Sequence, residues 1–238
     1  MATVVLSSFK VASFPEGGGH FWVYMQYIQA LRQAGCDVYW MEQYHSSGDS
    51  AFDDRALDLF RRRAHAFGLE GKLLLYLHQG EEDRREWLGI SESEAEATLR
   101  RADLLLNFHY AIHPSLLALA RRTALVDIDP GLLQLWIGTH LLDVAPHDVY
   151  LTTGETVSDR TACYLASGKP VVVQHTGPSA FLPNGEGMFR FRSMDEAVDA
   201  LERINAEYAK HSRAARELAE TYFDASAVIP QLLGAALA

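Results

Sequence analysis

Pro15-Glu16-Gly17-Gly18-Gly19-His20 sets three consecutive glycines and a histidine between an apolar run and a stretch with helical patterning. Consecutive glycines let a backbone approach a ligand closely, and a helix beginning there offers free N–H groups to an anion. His20 has the chemistry of a general base, because imidazole titrates near neutral pH; a capping group is the plainer role. A tight strand-to-helix turn would also explain the glycines. The spacing is neither the GxGxxG of a dinucleotide fingerprint nor the GK[ST] ending of a phosphate loop, so no redox cofactor and no ATP site is indicated. Further along, Asp127-Ile128-Asp129 precedes Pro130-Gly131. Alternation along a strand puts both carboxylates on one face, suited to taking a proton from a hydroxyl or holding sugar hydroxyls. They serve equally well as caps for the next helix or as partners of Arg121 and Arg122.

A third stretch, Ser158 to Gly177, combines a polar start (Ser158, Asp159, Arg160), an apolar stripe of Ala162, Leu165 and Ala166, a stop at Ser167-Gly168 and the run Val171-Val172-Val173. That order predicts a short capped helix, a glycine stop and a buried parallel strand. Gln174-His175-Thr176-Gly177 then leaves the carboxyl end of that strand, the edge at which open α/β sheets bind ligands.

The elements that must position these groups follow from the alternation of apolar runs and helical stripes. Thr3–Ser8 reads as a first strand, Phe21–Ala34 as a helix ended by Gly35, and Asp37–Met41 as a second strand, which makes a βαβ unit. Helix Asp53–Phe67, strand Leu73–Leu77, a charged surface segment Gly80–Gly89 and a helix from the capping box Ser91-Glu-Ser-Glu94 to Arg101 come next. Strands at Leu104–Phe108, Thr123–Ile128 and Asp148–Thr152, with a short helix opening at His113-Pro114, complete a Rossmann-like domain over residues 1–153. Residues 154–238 hold strands at Pro170–Gln174 and Met188–Phe191, one long helix from Met194 to about Ala219, and a tail broken at Pro230. The fold class is therefore α/β, a doubly wound parallel sheet with a shortened C-terminal part. Phe21, Trp22, Tyr24 and Tyr27 are core residues with Trp22 turned outward, and the Arg61–Arg63 and Arg100-Arg101 runs are solvated helix faces.

Composition bounds the partners. The 238 residues carry a net charge of −10, which argues against nucleic acid and requires any phosphate to be held locally. The two cysteines, Cys36 and Cys163, read as reduced core thiols, and no His/Cys cluster of metal-ligand spacing occurs. The N-terminus lacks the pattern of a secretory signal, and no apolar run is long enough to span a membrane, so a soluble cytoplasmic protein is expected.

Arg160, Leu165-Ala166, Gly168 and Pro170-Val171-Val172 match R-x-x-x-x-L-A-x-G-x-P-V-V, and the chain continues through "LPNGEGMFRFRSMDEAVDAL" to Glu207-Tyr208, Ser212–Arg216 and Tyr222-Phe223. In these residues it resembles GT-B glycosyltransferases, above all the bacterial group related to the CgeB-like transferases, while its front half resembles their acceptor domain. The middle of the family's donor domain is missing between Thr153 and Ser158. The resemblance implies transfer of a sugar from a nucleotide diphosphate donor to an acceptor hydroxyl, without a metal or other cofactor. The DxD form of Asp127-Ile128-Asp129 has its metal role in a different glycosyltransferase fold. It implies Gly17, Gly18 and Gly19 at the sugar-nucleotide cleft, Arg160 on the diphosphate with Ser158 and the helix dipole, and Asp159 on ribose hydroxyls or as the helix cap. Thr176 and Gly177 become phosphate or sugar contacts, Gly185-Glu186-Gly187 a family loop or a plain β-turn, and His20 or Asp129 the base. A truncated relative that only binds a nucleotide, a sugar or another protein is the alternative, and apolar surface left by the missing strands would then favour a homo-oligomer.

Overall fold

The structure, a computed structural model, describes residues 1–79, 84–128, 130–152, 159–175 and 182–237. Two compact units divide the chain, Met1–Leu151 with Leu232–Ala238 as one and Thr152–Gln231 as the other.

In the first unit the strands are β1 (Thr3–Phe9), β2 (Asp37–Tyr44), β3 (Leu73–Gln79), β4 (Arg84–Trp87), β5 (Leu104–Asn107), β6 (Thr123–Asp127) and β7 (Val149–Thr152). Among the described residues they form one sheet in the order β4-β3-β2-β1-β5-β6-β7. The β1–β2, β2–β3, β1–β5 and β5–β6 pairs are parallel. Only contiguous apolar segments tolerate burial on both faces, and β5, Leu-Leu-Leu-Asn, is buried throughout. One face, carrying Val5, Met41, Leu74, Tyr76 and Leu105, packs on Ala95 and Leu99 of helix α3 (Glu92–Arg101) and Leu116 of α4 (Pro114–Leu117). On the other, Trp40 meets Phe21 of α1 (Gly18–Gln33) and Phe60 of α2 (Ser50–Ala66), ring centroids 5.4 and 4.9 Å away. Trp22 points outward, 53% exposed, as its place on the stripe predicts.

The charged segment after β3 differs from expectation. Arg84–Trp87 is an antiparallel edge strand on β3, whose exposed Arg84 and Glu86 alternate with half-buried Arg85 and Trp87. Pro130–Gly138 forms a further helix, α5, to which the sequence reading gives no bounds.

In the second unit, α6 (Asp159–Ala166) ends as predicted at Gly168, whose φ of 66° admits the left-handed turn in which Lys169 N–H bonds Tyr164 O at 2.8 Å. Strands β8 (Val171–Gln174) and β9 (Met188–Phe191) pair in parallel. The long C-terminal helix is in fact two, α7 (Met194–Ala206) and α8 (Tyr208–Tyr222), parted at Glu207 with φ −130°. The apolar period runs through the break, but α7 packs on β8 and β9 whereas α8 packs on α6, and one straight rod cannot serve both. Pro230 lies inside the last helix, α9 (Ala225–Leu237), and does not end it. Asp224 anchors the first turn by accepting the N–H of Ser226 at 2.8 Å, and the absent N–H of Pro230 forgoes a single ladder bond. Cys36 is buried as expected, but Cys163 is exposed, on the side of α6 away from buried Thr161 and Leu165.

Candidate functional site

The direction of winding reverses between β1 and β5, so the loops leaving their carboxyl ends diverge and open a switch point. Parallel pairing brings Phe9 at the end of β1, His45 just past β2 and His109 just past β5 to this one edge. The His109 ring stacks on Phe9 at 4.8 Å and 25°, and His45 meets the same ring edge-on at 5.8 Å. Lys10, held at φ 56°, carries its ammonium 5.2 Å from the Phe9 centroid. A non-glycine residue in that region is strained, and such strain gathers at functional sites.

His109 is fixed from behind. Asn107 Oδ1 accepts the His109 backbone N–H at 2.9 Å while Asn107 Nδ2 donates to the His109 carbonyl at 3.0 Å. The same amide group lies 3.0 Å from His147 Nε2, and His147 Nδ1 lies 2.7 Å from Ala145 O. A carbonyl only accepts, so His147 carries its proton on Nδ1 and receives Asn107 on Nε2. Burial pushes the His109 imidazole down to about 4, with His45 and Lys10 adding repulsion. Burial and Lys10 lower His45 as well.

The loop that follows β1 hangs on Glu42. This carboxylate is fully buried; its Oε1 accepts the N–H of Val11 at 2.6 Å and of Ala12 at 3.2 Å. Its Oε2 takes the Ser8 hydroxyl, which accepts Trp40 Nε1–H at 2.6 Å. Burial pushes Glu42 up to about 7, against the pull of these three donors. Its sequence position is that of a ribose-binding acid, but its oxygens already serve Ser8, Val11 and Ala12.

His20 stands on the first turn of α1 with Nε2 2.7 Å from the Phe9 carbonyl. The carbonyl fixes the proton on Nε2, so Nδ1 is the basic nitrogen. The glycines before it are less open than expected. Gly18 N–H bonds Glu16 O at 2.9 Å, and His20 N–H and Phe21 N–H both reach Gly17 O, at 2.9 and 3.4 Å. At Gly17 an added Cβ would lie 2.2 Å from the ring of Phe14, an exposed side chain that can swing aside. At Gly18 and Gly19 an added Cβ would meet nothing within 4 Å. Arg63, expected on a solvated face, donates to Pro15 O at 2.9 Å and so braces this loop.

Asp127 accepts the Tyr110 hydroxyl at 2.9 Å. Asp129, Ser158, Thr176 and Gly177 lie outside the described residues, as do the side chains of Asp159 and Arg160, whose backbone opens α6. Gly187 has a packing cause: its φ is 71°, and a Cβ there would sit 2.4 Å from Ala215 N. Glu186 beside it pairs with Lys210 at 2.8 Å. An open groove of about 560 Å³ in the second unit is lined by Thr161, Tyr164, Lys169 and Val171–Val173, with Lys169 its one charged lining residue among the described residues.

The switch point thus unites His20 and the Gly17–Gly19 loop, which the sequence singles out, with Lys10, His45 and His109, which it does not. Their one sequence signal is position: Lys10, His45 and His109 each follow closely on the end of a strand. Among the described residues no three His, Cys, Asp or Glu side chains come together to hold a metal ion, and no helix is long and apolar enough to cross a membrane. Fold and site define an α/β protein with a Rossmann-like sheet and its polar chemistry at the β1/β5 switch point. No protein-family model matches the chain, and no curated protein matches it.

Proposed function

We propose that the chain transfers a sugar from a nucleotide diphosphate donor to an acceptor hydroxyl, in the manner of the GT-B glycosyltransferases it resembles. The observation that carries this reading is His20, whose Nε2–H is tied to Phe9 O and whose Nδ1 is the proton acceptor at the switch point. A base with a fixed tautomer suits deprotonation of an acceptor hydroxyl; Asp129 is the second candidate. The start of α6, with Ser158, Asp159, Arg160 and the helix dipole, would stabilise the leaving diphosphate, with Thr176 and Gly177 beside it. The first unit is the acceptor side and the second the donor side. No metal or other cofactor enters this chemistry.

The second reading, nucleotide or sugar binding without turnover, draws on the second unit, where the described strands number two. Thermal-shift titration with UDP, GDP, dTDP and their glucose or mannose conjugates separates these from a chain with no donor site. A saturable rise in melting temperature with one nucleotide, weakened by Arg160→Ala, supports a donor site. Turnover with that nucleotide sugar then decides between transfer and binding. No shift at millimolar nucleotide sinks both.

A further inference from the structure

We infer that Lys10, His45 and His109 form a subsite for a phosphoryl group, so that the acceptor of the proposed transfer is a phosphate monoester. The inference rests on the first unit being the acceptor side. The three side chains surround one ring: His109 stacked on Phe9 at 4.8 Å, His45 edge-on at 5.8 Å, Lys10 Nζ 5.2 Å from the centroid.

Their protonation pattern follows from which nitrogens are enclosed. His109 Nδ1 and His45 Nε2 are enclosed by protein and have no hydrogen-bond partner. Enclosing an unpaired N–H costs more than enclosing an unpaired lone pair, because orphaned buried N–H groups are the rarer kind. The lone pair therefore sits on the enclosed nitrogen of each ring, and the proton on the other: Nε2 of His109 and Nδ1 of His45. Among the described residues those outer nitrogens meet no hydrogen-bond partner either. Together with the exposed ammonium of Lys10 they make a set of donors with no acceptor among them.

A sugar hydroxyl, which both gives and takes a hydrogen bond, leaves such a set half used. A group with several acceptor oxygens and negative charge fills it. Among the described residues, the charged groups acting on His45 and His109 are Lys10 and, for His109, also His45. In a chain of net charge −10 an ammonium beside two donor imidazoles at a switch point is a local exception. Three donors set around a ring suit the tetrahedral oxygens of phosphate better than the two coplanar oxygens of a carboxylate.

The test is histidine side-chain NMR of the intact chain during titration with inorganic phosphate, and separately with acetate. Phosphate is expected to move the His45 and His109 resonances saturably, with affinity falling about tenfold in Lys10→Asn. Asparagine tolerates the left-handed backbone at position 10, so that variant keeps the loop. His45→Gln, which does not alter position 10, is expected to weaken phosphate as well. Resonances that do not move with phosphate, that move equally with acetate, or that respond unchanged in both variants overturn the assignment. Because phosphate needs no donor site, the result stands apart from the nucleotide titration: phosphate binding without a nucleotide shift keeps the subsite and removes the transferase.

Discussion

Glu42, at 0% exposure in β2, holds the backbone of Val11 at 2.6 Å across 31 residues of chain. Through that bond and those to Ala12 and Ser8, the strand next to β1 dictates the path of the loop that ends at His20. Removing the carboxyl leaves two backbone N–H groups and one hydroxyl buried without acceptors. Glu42→Ala should cost about 2–4 kcal/mol in urea unfolding. Glu42→Gln keeps an acceptor for Val11 and Ala12 and should cost less than half as much. Equal losses in the two variants would mean that the amide oxygen does not replace the carboxylate for Val11 and Ala12, and would refute this account.

Acidification separates Glu42 from His109. Burial raises Glu42 from 4.5 to about 7, so within that window the folded chain holds a proton that the unfolded chain has released, and stability falls as pH rises. Burial lowers His109 from 6.5 to about 4, so there the unfolded chain holds the extra proton, and stability falls as pH drops. The two slopes oppose one another between pH 5 and 6.5. Glu42→Gln removes the first and should make unfolding free energy drop more steeply from pH 7 to 5 than in the parent. His109→Gln removes the second and should flatten or reverse that drop. Denaturant midpoints at four or five pH values check both signs; identical pH profiles in all three proteins would refute the assignment.

Much of the fold was legible because local signals and tertiary packing agreed. The apolar runs of β1, β2 and β5 can satisfy only a buried strand, and Ser91 with Glu94 forms the capping box that its spacing implies. Legibility failed where packing partners decide. The period through Ile204 and His211 is continuous, yet Glu207 breaks the helix because the two halves rest on different elements. Cys163 is apolar enough for a core but falls on the outer side of a short helix. The cluster around Phe9 joins residues 9, 10, 45 and 109, and no local pattern links them. Only the register that sets Phe9 beside Gln43, with β5 on the other side, carries His45 and His109 to the same edge. Glu42 shows the same limit: nothing local in the sequence marks it as an anchor for the loop, and its burial in β2 gives it to Val11 and Ala12.

Gly18, Gly19 and Gly187 separate glycines kept for the fold from those the fold does not require. At Gly187 a methyl group would sit 2.4 Å from the backbone of Ala215, on a backbone already at φ 71°. Neither atom is the end of a flexible side chain, so α8 would have to move away from the β8–β9 pair. Gly187→Ala should therefore destabilise by about 3 kcal/mol or more. Gly18 and Gly19 lie in the first turn of α1, with nothing within 4 Å of an added Cβ. Gly18→Ala and Gly19→Ala should leave stability unchanged or raise it by about 0.5 kcal/mol, since alanine loses less chain entropy in a helix. If these glycines serve close approach of a sugar nucleotide, both variants should melt at or above the parent temperature while losing most of the nucleotide-induced shift. Retention of the full shift would show that the nucleotide does not approach this turn, and would remove the Gly17–Gly19 loop from the site.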